Sequence, residues 1–145
     1  MIALTLDTSN RIADETLTKG REIDCAPLTV AVLDAGGHLV VLKREDRSGI
    51  IRPQIAIGKA WGVLGMGFGG RELARRAGQA PMFFNALSDL SEGKMIPVPG
   101  GVLIRSDGQV VGAVGVSGDT SERDEEAAVA GVTAAGLEAD TGEGP

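Results

Sequence analysis

Residues 96–120, IPVPGGVLIRSDGQVVGAVGVSGDT, constrain this chain more than any other stretch. Pro97 and Pro99 each fix φ and remove a backbone donor, which keeps their segment out of the centre of a sheet. Gly100 and Gly101 follow. They permit backbone geometry closed to other residues and leave room for a close neighbour. Residues 102–105 read as a short strand. Asp107-Gly108 is a strong hairpin signal, because a type I′ turn needs positive φ at both central positions. Residues 110–116 return as a second strand, whose Gly112 and Gly115 leave parts of the surface bare. The expectation is a wall with a bare patch beside a Pro-Gly-Gly lip, and hence a cleft.

A second hairpin stands far upstream. Residues 28–33 are apolar and β-branched, 34–37 (DAGG) are turn chemistry, and 38–42 return. The two hairpins predict four strands of one antiparallel sheet. Helical spacing fills the remainder. Residues 7–24 read as a helix capped by Thr5 or Asp7, with Ile12, Ala13, Thr16, Leu17, Gly20 and Ile23 on one side. Lys43 to Ser48, KREDRS, reads as a solvated exit from the sheet, with Arg44 or Arg52 at a pocket rim as the sharper alternative. Pro53 opens a helix whose stripe is Ile55, Ala56, Lys59, Ala60, Val63 and Leu64. Trp61 lies off that stripe, as a surface or interface residue would.

GMGFGG, residues 65–70, formally matches G-x-G-x-x-G. A helical pattern precedes it and no strand does, so it reads as a flexible connector and not as a dinucleotide site. A short helix over 71–78 and another over 81–90 follow. The second carries Phe83, Phe84, Leu87 and Leu90, which suit a core or an apolar pocket wall. Asp119 is placed to cap the last helix, with Glu122 three residues on. That helix is rich in alanine and is expected to lie close to the sheet.

The totals bound the function. With 145 residues the chain suits one domain, set at 1–138, with 139–145 expected to be a disordered tail. A net charge of −6 gives no electrostatic case for nucleic acid or an anionic membrane. No apolar run approaches the roughly 20 residues of a membrane span. The lone Cys25 and the absence of a leader-like start are read as cytoplasmic. One histidine, His38, excludes a His/His or Cys/His metal site, and no metal site is expected. No Gly-x-Ser-x-Gly elbow accompanies Ser117. Glu122 and Glu125 share a helix face and could hold a hard cation, but acids at a helix start are ordinary dipole complements. Met66, Met82 and Met95 are soft candidates for haem iron, although no haem-attachment motif is present. Composition alone gives an α/β domain with a glycine-lined cleft and no visible catalytic machinery.

Four stretches together resemble a known family: LTVAVLDAGGHLVVLKRED, IAIGKAWGVLGMG, PVPGGVLI and VVGAVGVSGDTSERDEEAAVAG. They resemble the GlcG/HbpS family of haem-binding and haem-degrading-like proteins, whose domain also forms the C-terminal part of PduO-type corrinoid adenosyltransferases. The resemblance covers residues 4–137. Its motif set is Asp34, Gly37, Arg44, Asp46, Lys59, Pro99, Gly100, Gly101 and Asp119. It implies an α/β (α+β), profilin-like three-layer domain, with a central antiparallel sheet and helices on both faces. It also implies self-association into dimers or larger even-numbered assemblies. In the PduO-type domain a histidine near the chain start ligates haem, and the first helix here has none.

The function implied is binding of haem or a related tetrapyrrole in the cleft beside the Pro-Gly-Gly loop. Arg52 and Lys59 would pair with propionates. Met66, Phe83 and Phe84 would give apolar contact, and Pro99, Gly100 and Gly101 would form the lip. An alternative is an enzyme or accessory protein acting on a small organic acid. There Lys59 or Arg52 would hold the carboxylate, and His38 or Asp119 would move protons. A third reading is an oligomeric scaffold without ligand.

Overall fold

The two hairpins form as their turn residues dictate. In this computed structural model, which describes residues 2–143, Asp107 and Gly108 have φ of 50° and 79°. Both are left-handed, as a type I′ turn requires. They join β3 (Gly101–Ser106) to β4 (Gln109–Ser117). At the other turn Asp34 Oδ1 accepts the backbone N–H groups of Gly36 and His38, each at 3.0 Å. Gly37, at φ 83°, completes that turn between β1 (Thr29–Asp34) and β2 (Leu39–Arg44).

β1 and β4 pair with each other at the centre of the sheet, Val32 opposite Val114. A fifth strand, β5 (Glu138–Asp140), joins the far edge, giving the antiparallel order β2-β1-β4-β3-β5. The chain is therefore a mixed α/β domain built on one antiparallel sheet, as expected.

Alternation divides the sheet into two faces. Val30, Val32, Val102, Ile104, Val114 and Val116 pack on one side against α1 (Leu6–Glu22) and α5 (Ser121–Ala134). Leu33, Leu103 and Ala113 pack on the other against α2 (Arg52–Met66), α3 (Gly70–Gln79) and α4 (Pro81–Leu90).

The strand register explains how α2 sits so low. Ala31, Gly115 and Gly101 lie side by side across β1, β4 and β3. A Cβ on Gly115 would stand 1.9 Å from Ala56 O, and one on Gly101 2.4 Å from Lys59 O. The expected bare patch is thus covered. These glycines form a trough for α2, while a Cβ on Gly112 would meet Leu33 O and Leu4. On the opposite layer the small residues of α5 bring α1 close, and not only the sheet. A Cβ on Gly131 would reach to 2.1 Å from Thr16 Oγ1.

Four local expectations need correction. Thr120, not Asp119, caps α5, its side chain accepting from Arg123 N. Asp119 instead accepts from Thr120 N and Ala26 N, each at 2.8 Å, and pairs with Arg123. It ties the α1–β1 loop to the start of α5. Next, Gly65 and Met66 continue α2, so the connector shrinks to residues 67–69, with Gly67 left-handed at the helix end. Third, the charged exit after β2 is partly bonded back: Glu45 Oε1 accepts from Leu28 N at 2.7 Å, and Thr29 and Ser48 share a buried hydroxyl contact.

Last, the chain from Ala139 is not a disordered tail. Ala139 and Asp140 complete β5, Arg105 Nε donates to Asp140 at 2.9 Å, and Arg71 N donates to Thr141 O. Without them the β3 edge would present unpaired backbone groups. The domain thus extends beyond residue 138, and residues 144–145 of the expected tail lie outside the described residues.

The Asp119 clamp gives a pH-dependent prediction. Hydrogen bonds from Ala26 N and Thr120 N hold its carboxyl below the ordinary 3.8, aided by Arg123. A depressed folded pKa means that the unfolded chain binds more protons in the window between the folded pKa and the ordinary value. The stabilisation is therefore complete above about pH 5 and lost as pH falls through the folded pKa. Asp119→Ala should cost about 2 kcal/mol at pH 7, from charge-assisted bonds to backbone N–H groups. Urea unfolding of both proteins at pH 7 and pH 3 checks this, and the difference should shrink at pH 3.

Candidate functional site

The trough under α2 leads to an ionic centre at one end of the sheet. Lys59 points along the Pro-Gly-Gly loop, where a Cβ on Gly100 would lie 2.8 Å from Lys59 Nζ. Gly100 also adopts φ 109°, which strains any side chain. Lys59 Nζ donates to Val116 O at 2.9 Å and to Asp124 Oδ2 at 3.1 Å. The other Asp124 oxygen accepts from Asp119 N. Lys59 is 3% exposed and Asp124 1%. Burial pulls the Lys59 pKa down and pushes that of Asp124 up, and the attraction between the two opposes both shifts.

Beside them Arg52 donates to Ser117 Oγ at 3.1 Å, and Arg71 grips the buried Glu125 through two nitrogens. Of the acids at the start of α5, Asp124 and Glu125 are thus matched by cations of the chain. Among the described residues no group of three or more His, Cys, Asp or Glu is placed to hold a metal ion.

This geometry revises the expected ligand cleft. Lys59 is buried with two internal partners, so it is not available to a propionate or substrate carboxylate. It also fills the space beside Gly100 and Gly101, while Pro99 packs against the start of α3 at Gly70. Asp119 is committed to the backbone, which removes it as a proton carrier. Arg52, Lys59, Pro99, Gly100 and Gly101 gather at this end.

Met66 stands at the other end of α2, about 21 Å from Arg52 at 1.5 Å per residue. There, with Trp61, Gly65, Leu87, Leu90, Ser91 and Met95, it lines an apolar cavity of about 220 Å³. Phe84 is buried behind it in edge-to-face contact with Phe83. Phe83 itself is 55% exposed, beside the exposed Met82 and Leu90. Trp61, read as a surface or interface residue, is partly buried and packs against the α2-side core. Arg44 lines a charged cavity with Arg21, Arg47, Glu45 and Asp46, away from Arg52.

A third place was not assigned as a site from the sequence. His38 Nδ1 lies 3.1 Å from Asp34 Oδ1. Its neighbouring cavity, about 610 Å³, is walled by Ile2, Ala3, Leu4, Ala35, Val110 and Val111. The available signal was the spacing of Asp34 and His38 across a glycine turn.

These features define a three-layer α+β domain with a neutralised ionic centre and two open, mainly apolar cavities. The family follows from comparison with known proteins. The chain matches the model of the haem-degrading, HbpS-like proteins over residues 4–133, and it belongs to that family. It is 29% identical over 121 residues to an uncharacterized 15.0 kDa protein of the dhaT-dhaS intergenic region of Citrobacter freundii, covering 83% of this chain and 84% of that protein. It is 24% identical over 133 residues to the corrinoid adenosyltransferase PduO of Salmonella typhimurium, covering 92% of this chain but 39% of PduO.

Among solved structures, the PduOC:heme complex superposes with a TM-score of 0.84 at 23% identity, covering 98% of this chain and all of that one. At that identity the likeness concerns the fold. A double mutant of Streptomyces reticuli HbpS gives a TM-score of 0.80 at 27% identity, covering 92% of this chain and 88% of that one. Among the described residues no helix is long and apolar enough to cross a membrane.

Proposed function

We propose that this chain is a haem-binding module. The observation that carries the reading is membership of the HbpS-like family across residues 4–133. The PduOC:heme complex, which has the same fold, supports it.

The residues present fit such a group. A porphyrin needs an apolar wall and a nitrogen or sulfur donor for iron. This chain offers two apolar cavities with such donors on their linings: the sulfurs of Met66 and Met95 in one and the His38 imidazole in the other. Phe83 offers an exposed ring on α4, the helix that contributes Leu87 and Leu90 to the lining of the Met66 cavity. Arg52 retains a half-buried guanidinium, but it stands at the far end of α2. When bound, haem supplies a redox-active iron; the chain's own part is to bind the macrocycle, keep water from one of its faces and ligate it.

Self-association and a cytoplasmic setting belong to the same reading. Met82, Phe83 and Leu90 are exposed apolar side chains of one helix, α4, and exposed apolar surface of this kind favours a partner. Light scattering should give an even-numbered assembly.

The binding test is a haemin titration of the purified protein. A saturable Soret shift at micromolar haem is expected. A flat response would end the proposal. The organic-acid reading loses Lys59 and Asp119, which are committed within the chain, and keeps only Arg52 and His38.

A further inference from the structure

The family reading leaves open which atom meets the iron. The geometry points to His38 Nε2 as the axial nitrogen donor, with haem seated against the cavity formed by Ile2, Leu4, Val110 and Val111. This rests on the haem-binding reading and locates its site.

Asp34 Oδ1 accepts from Gly36 N and His38 N and faces His38 Nδ1 at 3.1 Å. That oxygen already accepts two backbone N–H groups, the role of a carboxylate. An ionised carboxylate only accepts. The ring proton of neutral His38 must therefore sit on Nδ1, and Nε2 carries the lone pair. A carboxylate behind the far nitrogen is also the arrangement that orients a ligating histidine and raises its basicity.

The ring is held as well as polarised. It lies over Gly36, where a Cβ would stand 2.9 Å from His38 Cε1 and 3.0 Å from Nδ1. A side chain there would displace the imidazole.

The surroundings suit a flat apolar ligand. The cavity is about 610 Å³, larger than the 220 Å³ beside Met66. Its wall is aliphatic, and Asp34 and His38 are its ionisable lining groups. His38 is the sole histidine of the chain, and its side chain is 80% exposed, so no rearrangement is needed to reach it.

The test is a haemin titration of wild type, His38→Ala and Met66→Ala, read by Soret position and by the electron paramagnetic resonance of the ferric complex. Because His38 is exposed, His38→Ala should fold normally. Its haem affinity should fall at least about tenfold, the scale on which disturbed metal ligation is felt. The nitrogen-ligated spectrum should be lost and return on adding free imidazole. Met66→Ala should keep the wild-type spectrum. If wild type binds no haem, the family-based reading itself fails. If wild type binds and His38→Ala keeps its spectrum and affinity, or Met66→Ala is the variant that changes them, the assignment of His38 is overturned while haem binding stands.

Discussion

Lys59→Ala should destabilise the domain by about 3–5 kcal/mol, the cost of leaving one member of a buried ion pair alone. Asp124 is 1% exposed and has Lys59 Nζ as its cation at 3.1 Å. Truncation strands that carboxylate in the interior and also frees Val116 O. The carboxyl must then take up a proton or draw in water, and either is costly.

The loss should not depend on a positive charge as such. Lys59→Met combined with Asp124→Asn removes both charges, keeps an acceptor for Asp119 N and fills the space beside Gly100. It should recover most of the stability, since neutral replacement of buried pairs is often tolerated. Urea unfolding midpoints at constant m-value measure both. A Lys59→Ala protein within half a kcal/mol of wild type, the scale of an ordinary surface substitution, would show that the pair is not closed in solution. The same experiment separates structure from binding. If Lys59 held a ligand, its loss would weaken ligand-induced stabilisation while the apo fold stayed intact.

Gly115→Ala should cost about 3 kcal/mol or more, at the upper end of overpacking effects. The added Cβ would stand 1.9 Å from Ala56 O and 2.9 Å from Ala60 N. Both are backbone atoms of α2, so no side chain can swing aside. The helix must rise or β4 must bend. Gly78→Ala in α3 is the contrasting case. Its Cβ would meet nothing within 4 Å, and its φ is not left-handed. There the substitution should stabilise by about 0.5–1 kcal/mol through helix propensity. Thermal unfolding of the two variants should therefore give shifts of opposite sign. Equal melting temperatures would mean that α2 does not lie in the glycine trough.

These two sites show where sequence reading stops. Asp107-Gly108 and the 34–37 turn announce their geometry, because positive φ is a local demand with few residue solutions. Alternation then yields the four-stranded pairing, and the 3.6-residue period yields α1 and α2. The purpose of Gly101 and Gly115 was not legible. A missing Cβ serves a ligand or a helix equally well, and only the tertiary neighbour decides. Lys59 was read on the helical stripe of α2 and as the cation for a ligand. Its partner lies 65 residues away, and no local pattern names it.

The cap of α5 failed for a smaller reason. Asp119 and Thr120 are adjacent candidates, and the choice depends on Ala26 N, a group from another loop. The second strand partner of β3 was hidden because Glu138–Asp140 has no apolar alternation; it forms because an open sheet edge lies next to it. Among the expected ligand residues, Met66 and Phe84 belong to the same α2-side core, but Arg52 lies at the opposite end of α2 and Lys59 at its middle. His38 was set aside as a lone histidine, although Asp34 four residues earlier already supplied the carboxylate that orients it.

Haem binding is tested most directly by one equilibrium titration of the intact chain with haemin, following Soret absorbance together with the emission of Trp61, the sole tryptophan. The account predicts a saturable Soret shift with quenching of Trp61 at the same ligand ratio, reaching an end point of one haem per binding site. A linear, unsaturated absorbance rise identical to haemin in buffer, with Trp61 emission falling only by inner-filter loss, would contradict it.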